Sequence, residues 1–148
     1  MKKLLLTFLM VFAVMGMSAQ TLSWKNLAPE IANEMRPMLP AISQSLAQEG
    51  VANTITADYN AKTNSLDINF FFNQSGLVDL LPQEMLGQLK DMFVAQLISN
   101  ESDPTGEATN LVINSMANSN GTITIIFTDA GGAKKEIVTT AADLKKAR

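Results

Sequence analysis

The 148-residue chain contains no cysteine and no histidine, and only one tryptophan and one tyrosine. Without cysteine there is no disulfide framework, so the fold rests on burial, and thiol chemistry is excluded. Without histidine, the commonest acid–base group near neutral pH and the commonest zinc ligand are both missing. Ser-His-Asp and Cys-His nucleophile systems are thereby ruled out, as are the usual zinc and haem sites. Only carboxylate, Lys, Tyr, Ser or Thr chemistry is left. Positive charge is also in short supply, with 11 Lys and Arg against 14 Asp and Glu. Such a balance makes the chain a poor binder of nucleic acid or any other polyanion.

Long apolar runs are absent with one exception. Lys2 and Lys3 precede an almost unbroken apolar stretch from Leu4 to Met17, and polarity changes abruptly at Gln20, after Ser18 and Ala19. A cationic start, an apolar centre and a small-residue exit are the parts of a cleavable secretory signal peptide. The stretch is also shorter than the roughly 20 apolar residues a spanning helix needs. Cleavage is expected after Ala19. The bond after Ser18 is the alternative, because Met17 stands where an A-x-A site wants a small residue. The Met-Lys-Lys start and the Ser-Ala-Gln junction resemble those of exported proteins of Gram-negative bacteria. With no cysteine to accept lipid, the expected product is periplasmic or secreted, with no membrane anchor in the mature form. It would span residues 20–148, one domain of ordinary size. Loss of Lys2 and Lys3 takes the net charge from -3 to -5.

Within that domain the apolar residues are periodic. Leu27, Ile31, Met35, Met38, Ile42 and Leu46 recur in steps of three and four, the spacing of one helix face. Pro29 suits a first helical turn, while Pro37 and Pro40 predict a break near Arg36 to Pro40. From Asn53 the period is two. Ile55, Ala57 and Tyr59, then Leu66, Ile68, Phe70 and Phe72, alternate with polar residues on either side of a turn through Asn60, Lys62, Asn64 and Ser65, which predicts a hairpin. Pro82 opens a second helix with Met85, Leu86, Leu89, Met92, Phe93 and Leu97 on its buried face. Residues 107–117 read as helix from Ala108, Leu111, Val112 and Met116, with strand as the alternative. Ile123, Ile125 and Phe127 begin a second hairpin that turns at Asp129, Gly131 and Gly132 and returns through Lys135 to Thr140. The tail is a short capped helix at most.

The two halves echo each other. Thr54-Ile55-Thr56 with Tyr59 three places on is matched by Thr122-Ile123-Thr124 with Phe127, and Ser45-Leu46-Ala47 by Ser115-Met116-Ala117. The expected fold class is therefore α+β: an antiparallel sheet of about four strands, in two hairpins, with helices on one face, possibly a tandem α-α-β-β duplication. In outline this element order is similar to the tandem repeats of beta-lactamase inhibitor proteins and to small exported domains of the PepSY type. The likeness implies nothing about residue roles.

Strand alternation supplies the candidate site. If the strand residues named above face the helices, Phe71, Ile126 and Val138 stand on the other face among Thr56, Asn69, Thr124 and Thr128. That makes an open, partly apolar, uncharged surface of the kind that binds a partner. Glu101, Asp103 and Glu107 offer oxygen ligands but lack the spacing of a calcium loop, and Asp103 before Pro104 fits a helix start, so no metal is expected. The five methionines beyond the leader sit at core spacing. No pair of carboxylates is nominated for a hydrolase. The expected function is non-enzymatic and without a cofactor: an exported binding protein of a bacterial cell envelope, acting on an unknown protein. The alternative is a periplasmic carrier of an apolar ligand such as a lipid, and a carboxylate-based hydrolase ranks below both.

Overall fold

The computed structural model describes residues 23–48, 50, 53–98 and 106–147. The leader, residues 1–19, lies outside them, as do Glu101 and Asp103. Helix α1 (Trp24–Met35) runs through a 3-10 turn (Arg36–Met38) into α2 (Leu39–Gln48). Strands β1 (Asn53–Asn60) and β2 (Ser65–Phe72) follow, then a 3-10 turn (Val78–Leu80), α3 (Gln83–Ile98) and α4 (Glu107–Ser119). Strands β3 (Thr122–Asp129) and β4 (Lys134–Thr140) and the short helix α5 (Ala141–Lys146) complete the chain.

Helix α1 begins five residues before Pro29, which lies inside it and not in its first turn. Trp24, Leu27, Ala28, Ile31, Ala32 and Met35 form one fully buried stripe, and burial of that stripe outweighs the one backbone hydrogen bond Pro29 cannot make. The break predicted from Pro37 and Pro40 is the 3-10 turn. Residues 107–119 are helix, which settles the ambiguous segment. Thr140, the last residue of β4, caps α5 reciprocally with Asp143, a capping box, and Lys90 of α3 pairs with the same carboxylate at 3.1 Å.

Both hairpins form, but they do not join as expected. The strand order is β1-β2-β3-β4, with β1–β2 and β3–β4 antiparallel and β2–β3 parallel, so the sheet is mixed. A parallel neighbour needs a crossover of a dozen residues or more, and the stretch holding α3 and α4 is long enough to return the chain to the end where β2 began. The tandem repeat fails for a related reason. Going from the first hairpin to the second, strand direction reverses while the left-to-right order is kept. The core-facing side is kept as well, since Ile55 and Ala57 share one buried cluster with Ile123, Ile125 and Phe127. Reversing one axis out of three is a mirror operation, so no rotation superposes the two halves of this sheet.

Asn64 fixes the point of re-entry. It is left-handed at φ 52°, a conformation Asn tolerates better than other residues with a side chain. Its carbonyl accepts the Thr122 N–H at 3.1 Å. Its side-chain amide donates to the Ser119 carbonyl at 2.6 Å and accepts from the Tyr59 hydroxyl at 2.6 Å. One turn residue thus ties β1, the end of α4 and the start of β3 together. Asn64→Ala is expected to cost about 2–3 kcal/mol, from the left-handed backbone plus two lost side-chain bonds. Urea denaturation followed by Trp24 fluorescence measures it, and a midpoint within error of wild type would show that other contacts hold the register.

The core is one cluster between the sheet and the helices. Leu86, Phe93 and Leu97 of α3, and Val112, Ile113 and Met116 of α4, enter it. Met35 and Met116 are buried as expected, and Met38 and Met92 pack partly against the cluster. Met85 does not follow. It is 42% exposed, because it lies in the first turn of α3 beside the surface loop that Pro82 ends.

Candidate functional site

Alternation along the four strands leaves a second face opposite the core, and the registers give its layout. Thr54, Phe71, Thr128 and Lys134 make one row across β1 to β4. Thr56, Asn69, Ile126 and Glu136 make the next, and Asp58, Asp67, Thr124 and Val138 a third. Phe71, Ile126 and Val138 therefore fall on one diagonal. Phe71 and Val138 lie two strands and two rows apart, roughly 17 Å at ordinary strand spacing. Neither α4 nor α5 turns its apolar residues to this face, since Val112, Met116 and Leu144 all belong to the core cluster.

The three diagonal residues are not equivalent. Phe71 and Val138 are each 40% exposed, but Ile126 is only 8% exposed although it stands outside the core cluster. It lies mid-sheet, on an inner strand, with Asn69 and Glu136 as its cross-strand neighbours. Alternation gives the face a side chain points to, not how far its neighbours cover it. Ile126 is thus a floor between two exposed apolar posts. Around them the face is polar but not uncharged as expected, because strict alternation also brings Asp58, Asp67, Lys134 and Glu136 to it. Ser65 and Thr124 share a hydroxyl hydrogen bond at 2.8 Å, Asp67 accepts from Ser65 and Asn60, and Lys134 pairs with Glu136 at 3.1 Å.

No family model, no curated protein and no solved structure matches the chain. The outline likeness to inhibitor repeats and PepSY-type domains thus has no structural counterpart, and function is argued from this chain's own surfaces.

Two further features were missed in the sequence. At the β1 edge, a groove of about 470 Å³ runs between the α1–α2 bend and the strand, lined by Arg36, Leu39, Pro40, Ser43, Ile55 and Ala57 among others. Arg36 closes one end, donating from Nε to the Ala57 carbonyl and from its terminal nitrogens to Asn33 and Asp58, while Ser43 donates to the Asn53 carbonyl at the other. These bonds occupy backbone acceptors that an unpaired edge strand would otherwise present. Two stretches, residues 36–43 and 54–58, converge to make this groove, so no local pattern announces it.

The second feature is the loop after β2. Asp129, 5% exposed at the end of β3, accepts the N–H groups of Gly76 and Val78 on one carboxylate oxygen and those of Gly131 and Ala133 on the other. Lys135 donates to the Leu81 carbonyl at 2.6 Å. Burial pushes the Asp129 carboxyl up, but the four backbone donors more than offset this and hold it below its ordinary value. The sequence showed Asp129 as a turn residue only. Of the acidic loop considered for calcium, Glu107 alone is described, in the first turn of α4, and among the described residues no group of three or more acidic side chains is placed to hold a metal. Among those residues, too, no helix is long and apolar enough to cross a membrane.

Proposed function

We propose that the chain is an exported, non-enzymatic binding protein of a bacterial cell envelope that docks a protein partner on the open face of its sheet. The observation that carries this reading is the diagonal of Phe71, Ile126 and Val138: two exposed apolar side chains flanking a sunken third, on a face otherwise furnished with hydroxyls, an amide and the charged side chains of Asp58, Asp67, Lys134 and Glu136. Apolar centres with hydrogen-bonding rims are how protein interfaces are built. Export rests on the leader composition. The test is an affinity pull-down of the exported form from the envelope and medium of its host, repeated with Phe71→Asp. Phe71 is partly exposed on a strand that keeps its core-facing residues, so the variant is expected to fold and to lose the partner, at least tenfold in affinity for a buried aromatic contact. Retention of the same partner at full yield would refute the reading.

A second reading has its own observation. The groove beside Leu39 and Pro40 suits a carrier of an apolar small molecule or lipid, since its volume falls within the range of ligand clefts. That function predicts a ligand that co-purifies and appears in a denaturing mass spectrum, and a spectrum of protein alone removes it.

A further inference from the structure

Leu80 is 74% exposed, the most exposed of the large apolar side chains described. It projects from a loop held at three points: Gly76 and Val78 donate to Asp129, and the Leu81 carbonyl accepts from Lys135. Within the loop, the Leu80 and Leu81 N–H groups bond to the Leu77 and Val78 carbonyls. A leucine presented on a loop this constrained has little backbone entropy left to lose on docking. It is flanked by Asp79, an acceptor, and Gln83, a donor, both exposed.

The groove at the β1 edge has the complementary furniture. Leu39, Pro40 and Ile55 supply apolar walls. Arg36 spends three N–H donors inside the chain, on Ala57, Asn33 and Asp58. A guanidinium has five, so two remain at the rim. The Asp58 carboxylate, 62% exposed, keeps acceptor capacity beside them. Knob and groove lie apart on the molecule, the loop against the ends of β3 and β4 and the groove along the opposite sheet edge, β1.

We propose that the groove takes Leu80 of a second copy of this chain, with Asp79 of the incoming loop on the spare Arg36 donors and Gln83 on Asp58. Because knob and groove are different patches, the contact is head-to-tail. It builds open chains or rings and not an isologous dimer. The contact is centred on the α1–α2 side of β1, off the Phe71–Ile126–Val138 diagonal, so Phe71→Asp is expected to leave it intact although Asp58 borders both surfaces.

Sedimentation of the exported form over a range of concentrations tests the proposal through complementation. Wild type is expected to grow beyond a dimer. Leu80→Ser, a substitution at an exposed position, is expected to weaken association at least tenfold, as is Pro40→Arg at the exposed groove rim. Mixing the Leu80 variant with the Pro40 variant leaves one intact knob and one intact groove, and should give a 1:1 dimer that grows no further. Wild type that stays monomeric at all concentrations overturns the proposal. So does a mixture that forms no dimer, or association that Phe71→Asp abolishes and Leu80→Ser does not.

Discussion

Gly121→Ala is expected to be among the most destabilising single-methyl additions this protein can receive. Gly121 follows the left-handed cap Asn120 and precedes β3, and its N–H bonds to the Met116 carbonyl at 2.8 Å. A Cβ at this position would land inside the indole of Trp24, overlapping Cδ1 and Cγ and reaching 2.8 Å from Nε1. The ring cannot withdraw. Trp24 is fully buried, its Nε1 donates to the Thr122 carbonyl at 3.2 Å, and its backbone N–H donates to the Ser119 hydroxyl at 3.3 Å. Overpacking a well-filled core costs about 1–3 kcal/mol, and the added loss of the indole hydrogen bond brings the expected total to about 3 kcal/mol or more. That is a large fraction of an ordinary domain's stability. The measurement is urea denaturation read on Trp24 fluorescence, a signal that arises at this site because the chain has one tryptophan. A double-mutant cycle with Trp24→Phe, followed by circular dichroism, should show the two changes strongly coupled, since the smaller ring vacates part of the overlap. A Gly121→Ala midpoint within about 0.5 kcal/mol of wild type would mean that the indole has room to move.

Trp24 also marks where the sequence was under-read. The helix face read from Leu27 onward extends further back, since Trp24, Leu27, Ala28, Ile31 and Met35 lie on one buried stripe that reaches the helix start. That signal was available. Pro29 suits a first helical turn, but burial of Trp24, Leu27 and Ala28 carries the helix back to Trp24. The strands were legible for a simple reason: a period of two fixes which side chains face the core, and Ile55, Leu66, Ile68, Phe70, Ile123, Ile125, Phe127 and Ile137 all do. The parallel join of β2 to β3 has no such local signature. It is decided by contacts between residues far apart in sequence, Asn64 with Ser119 and Thr122, and Trp24 with Gly121. The same holds for the site. Phe71 and Val138 were placed on the right face by alternation, whereas the burial of Ile126, the Arg36 groove and the pinned Leu80 loop arise from how separate segments converge.

Asp129→Asn is the second large effect, and it is separable from the first by pH. The carboxylate holds the loop after β2 and the β3–β4 turn together through four backbone N–H groups, two on each oxygen. Asparagine keeps one acceptor but aims an amide donor at two other donors, so one pair of bonds is lost and the opposing N–H groups are left buried without a partner. Because the folded carboxyl lies below its ordinary value, its contribution to stability is complete above the unfolded value of about 3.9 and disappears as pH falls through the folded one. Wild type should therefore lose stability as the solution is acidified below about pH 4. Asp129→Asn should start lower at pH 7 and show a flatter profile across that window. Asp143 is shifted the same way, with burial raising its carboxyl and the Thr140 and Lys90 contacts outweighing it, so Asp129→Asn removes part of the acid dependence and leaves the rest. Paired denaturation series at pH 7 and pH 3 measure the difference. If the variant and wild type lose stability in parallel on acidification, the four donors do not favour the charged carboxylate as proposed. If the Asn variant also loosens Leu80 enough to abolish self-association while the core stays folded, the Asp129 clasp is what presents the docking loop.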